Sequence, residues 1–110
     1  MSEYFSGLTP AELERLSLLV EECAEVQQIA MKIMRHGYDF HHPERSGTTN
    51  RNELEGELGD LMMAMDFVAS RGDVDGKAVT KAMQDKYSRV WKWLHHNVPQ
   101  RGEIGHPDLV

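Results

Sequence analysis

Apolar residues recur at three- and four-residue intervals over three long stretches of this chain, separated by polar segments holding most of the glycines and prolines. That spacing marks amphipathic helices, because residues three and four apart share a helix face. Thr9-Pro10-Ala11-Glu12 predicts a helix start, with threonine as N-cap, proline at the first helical position and glutamate closing a capping box. The pattern then runs to about Arg35 without an internal Gly or Pro. His36 to Thr49 reads as a loop punctuated by Gly37, Pro43 and Gly47. Asn50, with Glu53 three residues on, predicts a second start whose helix continues to about Ser70. Gly72, Asp73, Asp75 and Gly76 make a turn, and a third helix is expected over roughly Lys77 to His96, ending before Pro99. With no repeat and no convincing strand, the expectation is an all-α helical bundle. It forms one domain over residues 1–110, with its core at about 9–97 and an extended tail at about 98–110.

On the first helix, Leu13, Leu16, Val20, Cys23, Gln27, Ala30 and Met34 fall on one stripe, the expected core face. A second stripe lies beside it: Leu18, Glu22, Glu25, Ile29 and Ile33, with two carboxylates between aliphatics. The next helix repeats the arrangement. Leu54, Leu58, Leu61, Met65 and Val68 form its expected core stripe, while Glu53, Glu57, Asp60, Ala64 and Phe67 run alongside. Each helix thus presents two acids one turn apart at the edge of its apolar face. The first helix is apolar over a wider arc than a three-helix monomer covers, so a homo-oligomer, dimer or tetramer, is expected.

Composition narrows the classes of function. The net charge is −6, so nucleic acid polymers are repelled rather than gathered. No stretch approaches the roughly 20 apolar residues needed to cross a bilayer, and Met1 to Gly7 does not resemble a signal peptide. Cys23, the single cysteine, excludes an internal disulfide and reads as a small buried thiol, in keeping with a cytoplasmic home. Adjacent histidines at His41-His42 and His95-His96 do not suit zinc, because neighbours on a helix point about 100° apart. Trp91 and Trp93 face different ways, one towards a core and the other towards a subunit contact.

Four carboxylates converging between two helices repel one another unless a hard divalent cation such as Mg²⁺ or Mn²⁺ joins them through oxygen ligands. Gly56 and Gly59 lie among these acids although each costs about 1 kcal/mol in a helix relative to Ala. Close backbone approach at the site is the expected reason. A single pair of acids on a helix is more often a solvated face, and two pairs flanked by aliphatics bring that reading level with a metal site. The spacing therefore leaves two classes open: a helical bundle with a divalent-metal site, and a non-catalytic interaction module with fortuitous acids. A di-iron carboxylate bundle calls for E-x-x-H on its helices, and the match here, Glu103 to His106, lies in the Gly/Pro tail.

Glu21-Glu22-Cys23-Ala24-Glu25 followed by Glu57-Leu58-Gly59-Asp60 resembles the E-E-x-x-E … E-x-x-D signature of the MazG-like all-α nucleotide pyrophosphohydrolases. Gln84-Asp85-Lys86-Tyr87-Ser88-Arg89 is similar to that family's N-x-K-F-x-R segment. The resemblance covers about Leu18 to Leu94. The chain departs from it in a long gap between the acidic motifs, Val26 to Gly56, and in Gln84 where Asn is usual. The resemblance implies hydrolysis of a nucleoside triphosphate at the α-β bond. By motif position it implies that Glu22, Glu25, Glu57 and Asp60 hold Mg²⁺, with Mn²⁺ as a substitute, and that Glu21 orients water or binds a second ion. It also places Lys86 and Arg89 as cations for the phosphates. Asn50, Arg51 and Lys32 are further candidates for substrate binding, with Arg35 near them. The segments Gly37 to Pro43 and Thr48 to Asn52 carry rings, amides and a guanidinium that suit a base.

Overall fold

A computed structural model describes residues 5–45 and 47–103 of the chain. The first four residues, Ser46 and residues 104–110, which include most of the expected tail and His106, lie outside the described residues. The elements are α1 (Pro10–His36), α2 (Asn50–Ser70), α3 (Gly76–Arg89) and a 3₁₀ turn, Val90–Trp93. The described residues contain no strand, and none of their helices is long and apolar enough to cross a membrane. The chain divides into two compact units that meet in sequence between Asp73 and Val74.

The first unit is an antiparallel hairpin of α1 and α2. Arg15, near the start of α1, pairs with Asp73 just past α2, while Asn50 at the start of α2 bonds Gly37 at the end of α1. The capping box at α1 is present as the sequence suggests, Thr9 bonding the Glu12 amide and Glu12 the Thr9 amide. The cap of α2 differs from expectation. Thr49, not Asn50, is the N-cap, and Asn52 takes the place expected of Glu53. Asn50 is drawn inward instead, 6% exposed, with its Nδ2 donating to the Gly37 carbonyl at 3.1 Å. The loop completes the cap: the carbonyls of Phe40 and Tyr38 accept from the amides of Asn50 and Arg51, both at 2.9 Å. Two of the donors that a helix start leaves unsatisfied are thereby used. Gly37 closes α1 at φ +89°, a conformation that L side chains rarely adopt.

The seam between the helices reverses the expected choice of faces on α1. On α2 it draws on both stripes, burying Val68 of the expected core stripe beside Ala64. Buried positions recur every seven residues, Glu22 and Ile29 on α1 and Asn50, Glu57 and Ala64 on α2, although Glu57 is only half-buried. Such a spacing suits a shallow helix crossing. The stripe holding the acids therefore faces the partner helix. On α1, Leu13, Leu16, Val20, Cys23 and Met34, expected in the core, are exposed, and so are Leu58 and Met65 on α2. Period alone cannot decide which of two adjacent apolar stripes meets the partner. Ala64, fully buried, and Val68 are small enough to let the acidic stripe approach.

In the second unit, Asp75 caps α3 by accepting from the Lys77 amide at 3.0 Å. The helix stops at Arg89, short of the expected His96, and tightens into the 3₁₀ turn over Val90-Trp91-Lys92-Trp93. A β-branched residue and two tryptophans are poor helix formers, and 3₁₀ winding is common at such ends. Trp91 is half-buried and approaches Tyr87, their rings 6.3 Å apart, whereas Trp93 is exposed.

Candidate active site

Glu22 and Glu25 stand one turn apart on α1, and Glu57 and Asp60 one turn apart on α2. All four occupy seam positions where a coiled-coil packing would carry apolar side chains. The hairpin brings them together: one oxygen from each carboxylate lies within 4.8 Å of the others. Glu22 is buried, Glu25 and Glu57 are half-buried, and Asp60 is exposed. The cluster is therefore enclosed around Glu22 and reachable from solvent at Asp60.

Crowding leaves its mark on protonation. Glu57 is pushed up from 4.5 to about 7, first by the Glu25 carboxylate with which it can share a proton, then by burial, then by the charges of Glu25, Asp60 and Glu22. Glu22 is raised as well, first by burial and then by Glu25, Asp60 and Glu21. Glu22 Oε2 and Glu57 Oε2 are buried without a hydrogen-bond partner. A buried carboxylate oxygen lacking any donor is costly, and a cation supplies what no donor here does. The donor set, oxygen only, is that of a hard divalent ion. The residues fit the ion that the sequence leads one to expect.

The other expected residues fall in three places. Glu21 is exposed on α1 beside Glu22. Lys86 and Arg89 lie on α3 in the second unit, both exposed. Asn50, Arg51 and Lys32 belong to the loop end of the hairpin. There Arg51 donates to Asp39 and lies 5.0 Å over the Tyr38 ring, while Lys32 is half-buried. Gly56 and Gly59 do not serve a close approach within the chain, since a Cβ added at either would meet nothing within 4 Å. They flank the seam positions instead of occupying them. Two further groups were not singled out from the sequence. Arg15 donates to both oxygens of Asp73 and sits 5.9 Å over the Phe67 ring, with Arg71 5.3 Å from the same ring. His36 and Arg45 join Lys32 and Arg35 around one pocket; the basic residues flanking the loop were the available signal.

A family model, the MazG nucleotide pyrophosphohydrolase domain, matches residues 11–95. The chain belongs to the MazG family. The resemblance carried by the two acidic motifs is thereby borne out, as is an all-helical fold among the described residues. No curated protein and no solved structure matches the chain. Membership in the MazG family implies nucleotide pyrophosphohydrolase activity, and MazG-type enzymes generally use divalent metals. The matched region includes both acidic pairs and the segment from Gln84 to Arg89.

Proposed function

We propose that this MazG domain hydrolyses a nucleoside or deoxynucleoside triphosphate at the α-β bond, releasing nucleoside monophosphate and pyrophosphate, in nucleotide-pool control or house-cleaning. The observation that carries this reading is the meeting of four carboxylate oxygens within 4.8 Å at a seam where apolar residues would otherwise pack. Glu22, Glu25, Glu57 and Asp60 would hold Mg²⁺, or Mn²⁺ in its place. When bound, such an ion supplies neutralisation of phosphate oxygens and activation of water. The chain's own groups do the rest. Glu21, exposed beside Glu22, is proposed to orient the attacking water or bind a second ion, and a carboxylate near that water accepts its proton. The water oxygen bonds to one phosphorus of the α-β bridge, and the bridging oxygen departs with the other phosphorus and the bonding pair. Lys86 and Arg89 are proposed as phosphate-binding cations on the strength of their motif. Asn50, Arg51 and Lys32 are proposed as further substrate contacts.

The several exposed aliphatics of α1 and α2 support assembly as a homodimer or homotetramer, since large apolar side chains left in water favour an interface. The working location proposed is the cytoplasm. A panel of ribo- and deoxyribonucleoside triphosphates with Mg²⁺, scored for pyrophosphate against orthophosphate, tests the activity. Hydrolysis in H₂¹⁸O should label one product alone. Nucleoside diphosphate and orthophosphate as first products overturn the assignment, and no turnover across the panel leaves a non-catalytic helical module.

A further inference from the structure

At the loop end of the hairpin, Lys32, Arg35, Arg45 and Glu53 line a pocket of about 210 Å³, with the rings of His36 and Phe40 also in its wall. Those rings stack with centroids 4.9 Å apart. Three cations against one acid reverse the sign of a chain whose net charge is −6. Arg45 is paired with Glu53 at 3.2 Å, but Lys32 and Arg35 have no ion-pair partner among the described residues. Two unpaired cations facing one concavity repel each other and favour an anion between them. The pocket wall is tied in place without a ligand, because the Asn50 amide bonds the Phe40 carbonyl and the Asn50 side chain bonds Gly37.

The pocket continues the line of the acidic seam. Glu53 is one turn from Glu57 on α2, and Lys32 is seven residues from Glu25 on α1, about 10 Å at the rise of a helix. An extended polyphosphate whose α-β bridge lies at the four acids covers that separation when long basic side chains reach towards it. We propose that this pocket is an anion subsite taking the terminal phosphate of the substrate's polyphosphate chain. The inference rests on the activity proposed above. A neutral nucleobase has no need of this charge, whereas the phosphate farthest from the acids requires cations of its own.

Titration calorimetry on the full chain in EDTA at low salt, with inorganic tripolyphosphate, pyrophosphate and orthophosphate in separate arms, tests it without turnover. The parent should bind tripolyphosphate most tightly, and Lys32→Ala/Arg35→Ala should weaken it at least tenfold. Lys77→Ala/Lys92→Ala removes the same charge from the second unit and should change it less than twofold. A Lys32→Gln/Arg35→Gln variant and melting curves of each guard against a folding defect. Equal loss in both double variants, loss in neither, or no binding by the parent overturns the subsite. In turnover with a nucleoside triphosphate, Lys32→Ala/Arg35→Ala should raise KM about tenfold and spare kcat. Turnover with KM and tripolyphosphate affinity both unchanged refutes the subsite alone. Selective tripolyphosphate binding in a parent that releases no pyrophosphate refutes the activity alone.

Discussion

Arg15 grips Asp73 with two hydrogen bonds, Nε to Oδ2 at 2.6 Å and Nη2 to Oδ1 at 2.8 Å, across 58 residues of chain. The pair is largely shielded, its side chains 11% and 16% exposed, and Arg15 also lies over Phe67. It closes the end of the hairpin opposite the loop.

Asp73→Asn should therefore lower the melting temperature by a few degrees. The bond from Arg15 holds the Asp73 carboxyl below its ordinary 3.8, so the pair's contribution is present above that pH and lost as pH falls through the lowered value. The parent should lose stability in strong acid faster than the variant does. Parallel acid melts for both proteins would expose a clamp that contributes nothing.

The acids predict the opposite slope nearer neutrality. Folded Glu57 titrates at about 7 against an ordinary 4.5, so the folded state binds this proton more tightly than the unfolded state. Its contribution is full below about 4.5 and is lost as pH rises through about 7. In EDTA the melting temperature should fall over that window, and Glu57→Gln should flatten the fall. A flat parental profile would mean that the four carboxylates do not crowd in solution.

Metal should reverse that repulsion. Ions bound only to the native state stabilise it by mass action, so saturating Mg²⁺ should raise the parental melting temperature. Glu57→Gln should shrink the rise and lower turnover about 100-fold, the upper range for partners of a metal site. Melting curves with and without Mg²⁺, run beside a pyrophosphate assay, measure both. Retention of the full Mg²⁺ shift and full turnover by the variant would put the site elsewhere.

Asn50 gives a prediction about the loop. Its Nδ2 bond to the Gly37 carbonyl is worth about 0.5–1.5 kcal/mol. Asn50→Ala should lower the melting temperature by about 4–8 °C for each kcal/mol lost. It should also weaken the loop-end pocket that Asn50 supports. Unchanged melting would show that the side chain is free for another role.

Exposed Leu13, Leu16 and Val20 on α1 predict assembly. Light scattering at micromolar concentration should report a dimer or tetramer, and Leu16→Glu should shift it towards monomer. A monomeric parent mass would remove the reason given for that apolar arc.

Much of this protein is written in local sequence. Thr9-Pro10-Ala11-Glu12 determines where α1 begins because a capping box is satisfied within four residues. Two acidic turns on two amphipathic helices announce the cluster, because i and i+3 side chains share a face whatever the rest of the chain does. Tertiary structure decided the rest. Thr48-Thr49-Asn50-Arg51-Asn52 offers several capping residues, and the Tyr38 and Phe40 carbonyls, brought round by the loop, selected Thr49 as the cap and turned Asn50 inward. The end of the third helix, by contrast, is local: Val90 and two tryptophans are poor helix formers, and the chain tightens there into a 3₁₀ turn. Above all, periodicity offered two adjacent stripes on each helix, and the one without acids was the one expected inside. Which one was buried depended on complementarity between helices. Small Ala64 and Val68 admitted the stripe holding Glu22 and Ile29, and so the seam that packs the hairpin is also the seam that gathers its acids.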